Sequence, residues 1–162
     1  MDSLCREKVS LRNPVHLLAL GFGTGLAPLM PGTVGTLAAF PLIWLAVTYL
    51  SLTGFVTATI AASLVGIYLC GKTAIDMEVH DHSGIVWDEV AGMMIAMIAV
   101  PFTWKHAIVA FVLFRIFDII KPWPISYFDK HVHGGFGIMI DDIIAGLFAL
   151  GCMHGLLSMG WL

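Results

Sequence analysis

The stretch TLAAFPLIWLAVTYLSL at residues 36–52 decides the fold class, together with FVTATIAASLVGIYL at residues 55–69. Both runs are apolar, and no Asp, Glu, Lys or Arg occurs anywhere between Arg12 and Lys72. A helix needs roughly 20 predominantly apolar residues to cross the hydrocarbon core of a bilayer. The two runs therefore predict a pair of membrane helices that turn at residues 51–54, Ser-Leu-Thr-Gly.

The composition of the whole chain agrees with a membrane protein. Of its 162 residues 12% are charged, against about 25% in a typical soluble domain. The alternative is a soluble protein with an unusually apolar core. Cys5, Cys70 and Cys152 are widely separated, which indicates packing residues and not a disulfide framework. The start of the chain lacks the pattern of a removable signal peptide, and no basic, aromatic-interleaved arm indicates nucleic-acid binding.

Four more apolar segments precede or follow this pair of helices along the sequence. Those at residues 90–100, 107–120 and 143–157 are short for a span, and the one at residues 15–29 is interrupted by glycines and a proline. Non-helical backbone at membrane depth is tolerated only where protein or a wet cavity covers it. We therefore predict one all-α, integral membrane helical bundle over residues 1–162. It would have about four to five membrane-embedded helices and a Gly/Pro-broken N-terminal re-entrant or interfacial segment.

The charged residues predict how this bundle is oriented. Following the segments back and forth across the bilayer brings the polar patches to one face, and only Lys105 lies on the other. Cytoplasmic loops carry an excess of Lys and Arg, so the polar face is predicted to be cytoplasmic. The basic residues assigned to it are Lys72, Arg115, Lys121 and Lys130, with Arg6, Lys8 and Arg12 if the N-terminus lies there.

The eleven acidic residues are the feature that needs a functional explanation. A carboxylate in or beside hydrocarbon is costly, so each one marks a functional site by default. Several converging carboxylates favour a hard divalent cation such as Mg²⁺, which takes oxygen ligands. Asp76, Glu78 and Asp81 are interpreted as loop residues. The candidates for the cation site are Asp88, Glu89, Asp118, Asp141 and Asp142, to which Asp129 is a further possible addition.

Two of the acidic patches open apolar helices and share a pattern. Asp88-Glu89 precede Gly92, and Asp141-Asp142 precede Gly146. Acids in a first turn also compensate the helix dipole, which is the alternative explanation. A small residue one turn further on lets a neighbouring helix approach closely. Compensation of the helix dipole does not explain why both patches are followed by such a glycine. Metal ligation is the preferred interpretation.

The stretch FRIFDIIKPWP at residues 114–124 places cations beside an acid. Arg115 and Asp118 are three residues apart and share a helix face, so a salt bridge between them is one alternative. Lys121 follows just before two prolines that end the helix. Arg offers a planar fork and Lys a point charge to a phosphate held beside a metal.

Two further elements are weaker candidates. PGTVGT at residues 31–36 is predicted to be a loop that precedes a helix. Its glycines, Gly32 and Gly35, would let backbone N–H groups approach a phosphate, and Thr33 or Thr36 can cap the start of the helix. An ordinary tight turn is the alternative. The Gly-Lys-Ser/Thr ending of a Walker loop is absent. His80 or His82 would suit a proton donor to a leaving group, although a solvated loop is the simpler explanation.

Other phosphatase chemistries and other classes of protein fit less well. The chain has no Cys-x5-Arg motif, no Asp-x-Asp-x-Thr/Val nucleophile and no Gly-x-Ser-x-Gly elbow. Carboxylates with cations remain, which suits metal-activated water attacking a phosphate. A small cation or proton transporter is the main alternative, and it predicts acids spread through the depth of the bilayer. A phosphatidyltransferase is a second one, but its spaced Asp-Gly…Ala-Arg…Gly…Asp…Asp pattern is missing.

Four blocks in order, PGTVGT, DHSGIVWDEVAG, FRIFDIIKPWPI and GGFGIMIDDIIAG, resemble the bacterial phosphatidylglycerophosphatase A family. The resemblance covers about residues 21–151. It implies an all-helical, Mg²⁺-dependent enzyme of the bacterial inner membrane that converts phosphatidylglycerophosphate to phosphatidylglycerol. It also implies which residues act: the metal and water-activating candidates are Asp88, Glu89, Asp118, Asp141 and Asp142, and the phosphate-binding candidates are Arg115, Lys121, Gly32, Thr33, Gly35 and Thr36. Neither the residues nor the resemblance indicates an oligomeric state.

Overall fold

The structure is a computed structural model that describes residues 3–80 and 82–162, so Asp81 lies outside the described residues. Within these ranges every regular element is helical, which confirms the all-α prediction. A 3₁₀ segment at Gly21–Leu26 separates the second and third helices. The α-helices are α1 (Ser3–Lys8), α2 (Pro14–Ala19), α3 (Pro31–Tyr49), α4 (Leu52–Met77), α5 (Trp87–Ala96), α6 (Trp104–Ile120), α7 (Ile125–His131) and α8 (Gly134–Ser158).

Three helices of the described part are long and apolar enough to cross a membrane: α3, α4 and α8. At 1.5 Å per residue they measure about 28, 39 and 37 Å, against a hydrocarbon thickness of about 30 Å. Helix α6 has 17 residues, and α5 has only ten, or about 15 Å. The chain is thus a helical membrane protein, and the figure of four to five embedded helices stays a prediction.

The two helices predicted from residues 36–69 are present as α3 and α4, but their connection is shorter than expected. Helix α3 ends at Tyr49 and α4 begins at Leu52. The hydroxyl of Ser51 accepts a hydrogen bond from the Gly54 amide at 3.2 Å, which caps α4. The predicted turn at residues 51–54 is therefore wrong in its last three residues, which belong to α4 because the helix starts directly after its cap.

Two other predicted boundaries are also wrong. Asp141 and Asp142 do not open the last helix, since α8 begins at Gly134, about two turns earlier. A helix-dipole role for these two acids is excluded, because that effect fades within the first turn. Residues 31–36 do not form a loop but the first turns of α3. The residue before the helix, Met30, has a left-handed backbone conformation.

Helix α5 lies at the centre of the bundle and α8 packs against most of its neighbours. Helix α8 contacts α4, α5, α6 and α7, and α5 also contacts α3, α4 and α6. Along α5, every residue except Trp87 and Glu89 is buried. A ten-residue helix that cannot span a bilayer is thus covered by protein, as irregular membrane-embedded backbone must be. The element that carries Asp88 and Glu89 is enclosed by the bundle.

Helices α5 and α8 cross at two glycines, Gly92 and Gly146, which confirms that each of these helices is approached closely by a neighbour. A Cβ added to Gly146 would lie 2.5 Å from the carbonyl oxygen of Gly92, and one added to Gly92 would lie 2.8 Å from the carbonyl oxygen of Asp142. Both obstacles are backbone atoms, which cannot rotate away. Because Asp88 and Asp142 each precede their glycine by one turn, this crossing brings the two acidic patches together.

This crossing predicts opposite effects for two substitutions in α8. Gly146→Ala should lower the free energy of unfolding by about 1–3 kcal/mol, because the added methyl group overpacks a backbone contact, and it should also reduce activity by separating the acids. Gly151→Ala is the matched control, since nothing lies within 4 Å of a Cβ there. It should be neutral or stabilise the helix by up to about 1 kcal/mol. Thermal unfolding of both purified variants measures the difference, and equal stability would contradict this packing.

The N-terminal segment is broken, as predicted, and it lies at the same end of the bundle as the C-terminus of α4. Phe22 and Gly23 have left-handed backbone angles inside the 3₁₀ segment. The buried ring of His16 hydrogen-bonds through Nε2 to Asp76 Oδ2 at 3.0 Å, and Lys8 forms a salt bridge with Glu78 at 2.7 Å. The basic N-terminus therefore shares the polar face, whereas a re-entrant path for this segment stays a prediction.

Candidate active site

Arg115 links α5 and α6 through two carboxylates. Its Nη1 donates to Glu89 Oε1 at 3.0 Å and to Asp118 Oδ2 at 2.6 Å. The salt bridge to Asp118 considered as an alternative is thus present, and Glu89 from a second helix joins it. All three side chains are mostly buried, with exposed fractions of 16% for Arg115, 12% for Glu89 and 15% for Asp118. Both ion pairs use Nη1, and the buried Nε has no hydrogen-bond partner among the described residues.

Lys121 joins α6, α7 and α8. It follows the last residue of α6 in a left-handed conformation, and its ammonium donates to Asp129 and, at 2.7 Å, to Asp141 Oδ2. Burial alone would lower the pKa of Lys121, but the hydrogen bonds to Asp129 and Asp141 outweigh it and raise that pKa above its ordinary value. Lys121 therefore carries its charge throughout the physiological pH range.

The direction of this shift predicts how the site depends on pH. The stabilising contribution of Lys121 is fully present below its unfolded-state pKa, near 10.4, and is lost only as the pH rises through the higher folded value. Lys121→Arg, which keeps a permanent charge, should leave the shape of the activity–pH profile unchanged between about pH 6 and 9, even if the rate falls. The exposed Lys130 gives the control Lys130→Arg. Loss of an alkaline limb in Lys121→Arg alone would show that Lys121 titrates in this range.

Asp142 is the most deeply buried acid of the group. Its exposed fraction is 3%, against 9% for Asp88, and its Oδ1 has no hydrogen-bond partner among the described residues. The negative charges that act on it come from Asp118, Asp88, Asp141 and Glu89. Within residues 3–80 and 82–162 no Lys or Arg forms a salt bridge with Asp142. The structure thus brings all five predicted acids within electrostatic range and leaves this one without a compensating cation.

The carboxylate of Glu89 packs directly against the backbone of the first turns of α3, where two residues are glycines. A Cβ added to Gly32 would lie 2.1 Å from Glu89 Oε1, and one added to Gly35 would lie 2.8 Å from Glu89 Oε2. These two glycines therefore make room for the carboxylate that Arg115 binds. Thr36 is fully buried and its hydroxyl donates to the Gly32 carbonyl at 2.9 Å. That hydroxyl is occupied within its own helix, which leaves Gly32 and Thr33 as the exposed part of the predicted phosphate motif.

A cavity of about 400 Å³ opens beside these groups. It combines both predicted cations with two of the acids and with the first turn of α3. Asp88, Asp141 and Asp142 do not line it, and Asp141 lines a separate small cavity instead. The residues that line the cavity are Met30, Pro31, Gly32, Thr33, Ser83, Glu89, Arg115, Asp118, Ile119 and Lys121.

The remaining acids and histidines take other positions. Asp76 belongs to the last turn of α4 and not to a loop, and it binds His16 and Lys72. His82 accepts a hydrogen bond from the Gly84 amide through Nδ1. His80 packs edge-on against His133 and lines a small cavity with Asp129 and Asp141. Of the two histidines considered as proton donors, His80 is thus the one beside the partners of Lys121.

Two features of this region have no recognisable signal in the sequence. Ser83, which belongs to the DHSGIVWDEVAG block, lines the cavity. It could not be singled out from the sequence, because a lone serine gives no periodic signal. The contact between His16 and Asp76 joins residues 60 positions apart, and no local pattern indicates it. In the described part of the chain, no three His, Cys, Asp or Glu side chains are already grouped closely enough to hold a metal ion.

The fold and this site define a helical membrane protein with a cationic pocket beside buried carboxylates, a class suited to binding a phosphorylated ligand. Sequence comparison agrees: the pattern of the Phosphatidylglycerophosphatase A family matches residues 17–157. The chain belongs to this family of phosphatases.

Individual relatives extend over nearly the full chain. A phosphatidylglycerophosphatase A of Escherichia coli (strain K12) is 48% identical over 152 residues, covering 93% of this chain and 88% of the relative. One from Haemophilus influenzae is 50% identical over 145 residues, covering 89% of each. A protein of Bacteroides thetaiotaomicron with the provisional name of a phosphatidylinositol-3-phosphatase is 38% identical over 142 residues, covering 82% of this chain and 87% of the relative. No solved structure matches the chain.

Proposed function

We propose that this enzyme hydrolyses the terminal phosphate of phosphatidylglycerophosphate to give phosphatidylglycerol and phosphate, with Mg²⁺ as its cofactor. The family assignment and the names of the relatives from Escherichia coli and Haemophilus influenzae support the substrate. The observation that carries the site is the cavity in which Arg115 and Lys121 meet the carboxylates of α5 and α6. A phosphate monoester is an anion, and these two cations are its natural partners.

The phosphate would bind between the two cations and the start of α3. Both ion pairs of Arg115 use Nη1, so they leave Nη2 to donate to the phosphate. The N-terminus of α3 carries a partial positive charge from its unsatisfied amides, and Gly32 and Thr33 line the cavity there. These groups would orient the phosphoryl group and offset its charge as the reaction proceeds.

The acids present suit Mg²⁺. This ion prefers oxygen ligands and is usually held by one or two carboxylates, waters and substrate phosphate, without a dedicated protein cage. The described residues contain no preformed cluster of three protein ligands, which is compatible with this mode of Mg²⁺ coordination. The buried, uncompensated Asp142 beside Asp88 offers both the oxygen donor and the excess negative charge that a divalent cation would offset. Asp88 and Asp142 are therefore the first candidates to hold it, and Glu89, Asp118 and Asp141 follow.

The proposed reaction is attack of water on phosphorus. When bound, Mg²⁺ supplies positive charge to the phosphate oxygens and makes water a better nucleophile. A carboxylate of the cluster orients the water and accepts its proton. A bond forms between the water oxygen and phosphorus, the bond from phosphorus to the glycerol oxygen breaks, and that oxygen takes up a proton. Of the two histidine candidates for this donor we favour His80, because it shares a small cavity with Asp129 and Asp141, the two partners of Lys121.

The site is proposed to face the cytoplasm in the bacterial inner membrane. Lys8 contacts Glu78 at the same end of the bundle as Lys72, so the basic residues of the N-terminus add to those of the polar face. The positive-inside rule then places this face in the cytoplasm. Labelling of single cysteines at the two ends of the bundle in intact cells would measure the orientation directly.

The direct test is release of phosphate by the purified enzyme. We expect release from phosphatidylglycerophosphate in the presence of Mg²⁺, and loss of that release when the metal is removed with EDTA and its return when Mg²⁺ is restored. Phosphatidic acid and phosphatidylinositol 3-phosphate serve as comparison substrates. Activity that is unchanged in EDTA would contradict the metal, and release from only a comparison substrate would contradict the lipid.

A covalent phospho-aspartate is the alternative to direct attack by water. Rapid quenching of the enzyme during turnover of ³²P-labelled substrate distinguishes the two routes. Direct attack predicts that no label stays on the protein after denaturation. A labelled aspartyl adduct that forms and decays at the rate of turnover would require the covalent route.

The transporter considered as an alternative finds no support in the site. It predicts acids spread through the depth of the bilayer. The acids of α5, α6 and α8 instead lie within electrostatic range of one another, and three of them are paired with Arg115 or Lys121. That arrangement concentrates charge at one end of the bundle, as a phosphatase site requires.

A further inference from the structure

A further cavity of about 300 Å³ forms an apolar groove along the outer face of α6. Apart from Arg115 near the middle of this stretch, its lining is entirely aliphatic or aromatic. The lining residues are Phe111, Val112, Arg115, Ile116, Ile119 and Ile120. They span nine residue steps, or about 13 Å along the helix.

The groove is continuous with the phosphate cavity. Arg115 and Ile119 line both of them. Lys121 ends α6 at the polar cavity. The lining of the groove runs beside that cavity from Ile120 back along α6 to Phe111. A ligand that occupied both would therefore have an anionic group at one end and an apolar chain at the other.

The walls of the groove face away from the bundle and yet keep a defined shape. Val112 and Ile116 are 46% and 44% exposed, and Ile119 and Ile120 are 65% and 69% exposed. On the inner side, the ring of Phe111 packs edge-on against Phe40 of α3, with 6.0 Å between ring centroids. This contact fixes one wall of the groove, so the groove is more than a random patch of apolar side chains.

We infer that this groove binds an acyl chain of the phospholipid whose phosphate occupies the neighbouring cavity. The inference rests on the proposed function and extends it to the apolar part of the substrate. Lipid tails are as apolar as the groove, so moving a chain from the bilayer into it changes the hydrophobic energy little. The contribution of the groove is therefore orientation: it aligns the lipid so that its phosphate enters the cavity beside Arg115.

If the groove binds an acyl chain, kcat/KM should depend on the length of that chain, and substitutions that block the groove should remove this dependence. The measured quantity is the ratio of kcat/KM for phosphatidylglycerophosphate with palmitoyl chains to kcat/KM for the butyryl form, in detergent micelles. Ile116→Trp and Val112→Trp fill the groove and should lower this ratio about tenfold. Leu64→Trp on α4, where Leu64 is 64% exposed, is the control and should leave the ratio at the wild-type value.

The two blocked positions should also differ from each other. Ile116 lies one helical turn closer to the phosphate cavity than Val112. In a series of substrates with increasing chain length, the loss should therefore appear at shorter chains in Ile116→Trp than in Val112→Trp. Ile116→Met, which keeps the apolar volume, should retain the wild-type ratio. Activity on the butyryl substrate shows that each variant is folded.

The outcomes separate the groove from the proposed function. A wild-type ratio in both tryptophan variants, with active protein, would overturn the groove and leave the phosphatase site intact. An equal loss on short and long substrates would also overturn it, because the damage would then lie in the shared site. Wild-type enzyme that releases no phosphate from either substrate would overturn the proposed function, and the groove with it.

Discussion

Asp142→Asn should stabilise the metal-free protein and abolish phosphate release. The carboxylate of Asp142 is 3% exposed, and four other acids act on it. Removing a buried charge that no cation compensates lowers the cost of folding. A gain of about 1 kcal/mol corresponds to a rise in Tm of about 2–4 °C for a chain of this size. The same change removes a proposed metal ligand, and the rate should fall by about 10²–10³ or more.

Asp129→Asn is the matched control for this prediction. Asp129 also belongs to the acidic group, but its side chain is 39% exposed and it binds Lys121 at the edge of the site. This variant should keep most of the activity and show little change in Tm. Thermal unfolding with EDTA and with excess Mg²⁺, beside phosphate release, measures both effects. A wild-type rate in Asp142→Asn, or a loss of stability without metal, would contradict the role given to Asp142.

Arg115→Ala should damage stability and activity together. Arg115 is the cation that the mostly buried Glu89 and Asp118 share. Removing one partner of a buried ion pair leaves an uncompensated charge, which costs about 3–5 kcal/mol. The variant also loses the proposed phosphate donor. We expect a large fall in Tm and loss of phosphate release in any fraction that remains folded.

The triple variant Arg115→Ala, Glu89→Gln, Asp118→Asn separates the two effects. Neutralising both acids removes the uncompensated charge, so most of the lost stability should return while activity stays absent. Arg12→Ala, which removes an exposed arginine, controls for a general effect of losing positive charge. A triple variant no more stable than Arg115→Ala would show that the ion pairs do not account for the loss of stability.

Local sequence patterns predicted the apolar spans and one of the contacts that build the site. The uncharged stretch before Lys72 identified α3 and α4 because hydropathy depends only on neighbouring residues. The spacing from Asp88 to Gly92 and from Asp142 to Gly146 predicted a close helix approach, and the crossing at these glycines confirms it. That these two helices meet each other could not be predicted, because the pattern shows only that each has a bare face.

The errors in prediction arise where tertiary contacts override local signals. The glycines in residues 31–36 suggested a loop, yet they lie in the first turns of α3, where Glu89 needs the space that their missing side chains leave. Residues 134–140 carry three glycines, so the start of α8 was placed too late. The ion pair between Glu89 and Arg115, 26 residues apart, has no counterpart in the local sequence.

The central claim is that the buried acids of α5 and α8 hold a divalent cation beside the phosphate cavity. Titration of the purified protein with Mn²⁺, followed by electron paramagnetic resonance, tests it without depending on activity. Wild-type protein and Asp129→Asn should bind Mn²⁺, and excess Mg²⁺ should displace it. The double variant Asp88→Asn, Asp142→Asn should lose this binding while staying folded. Mn²⁺ binding by the double variant with wild-type affinity would contradict the claim.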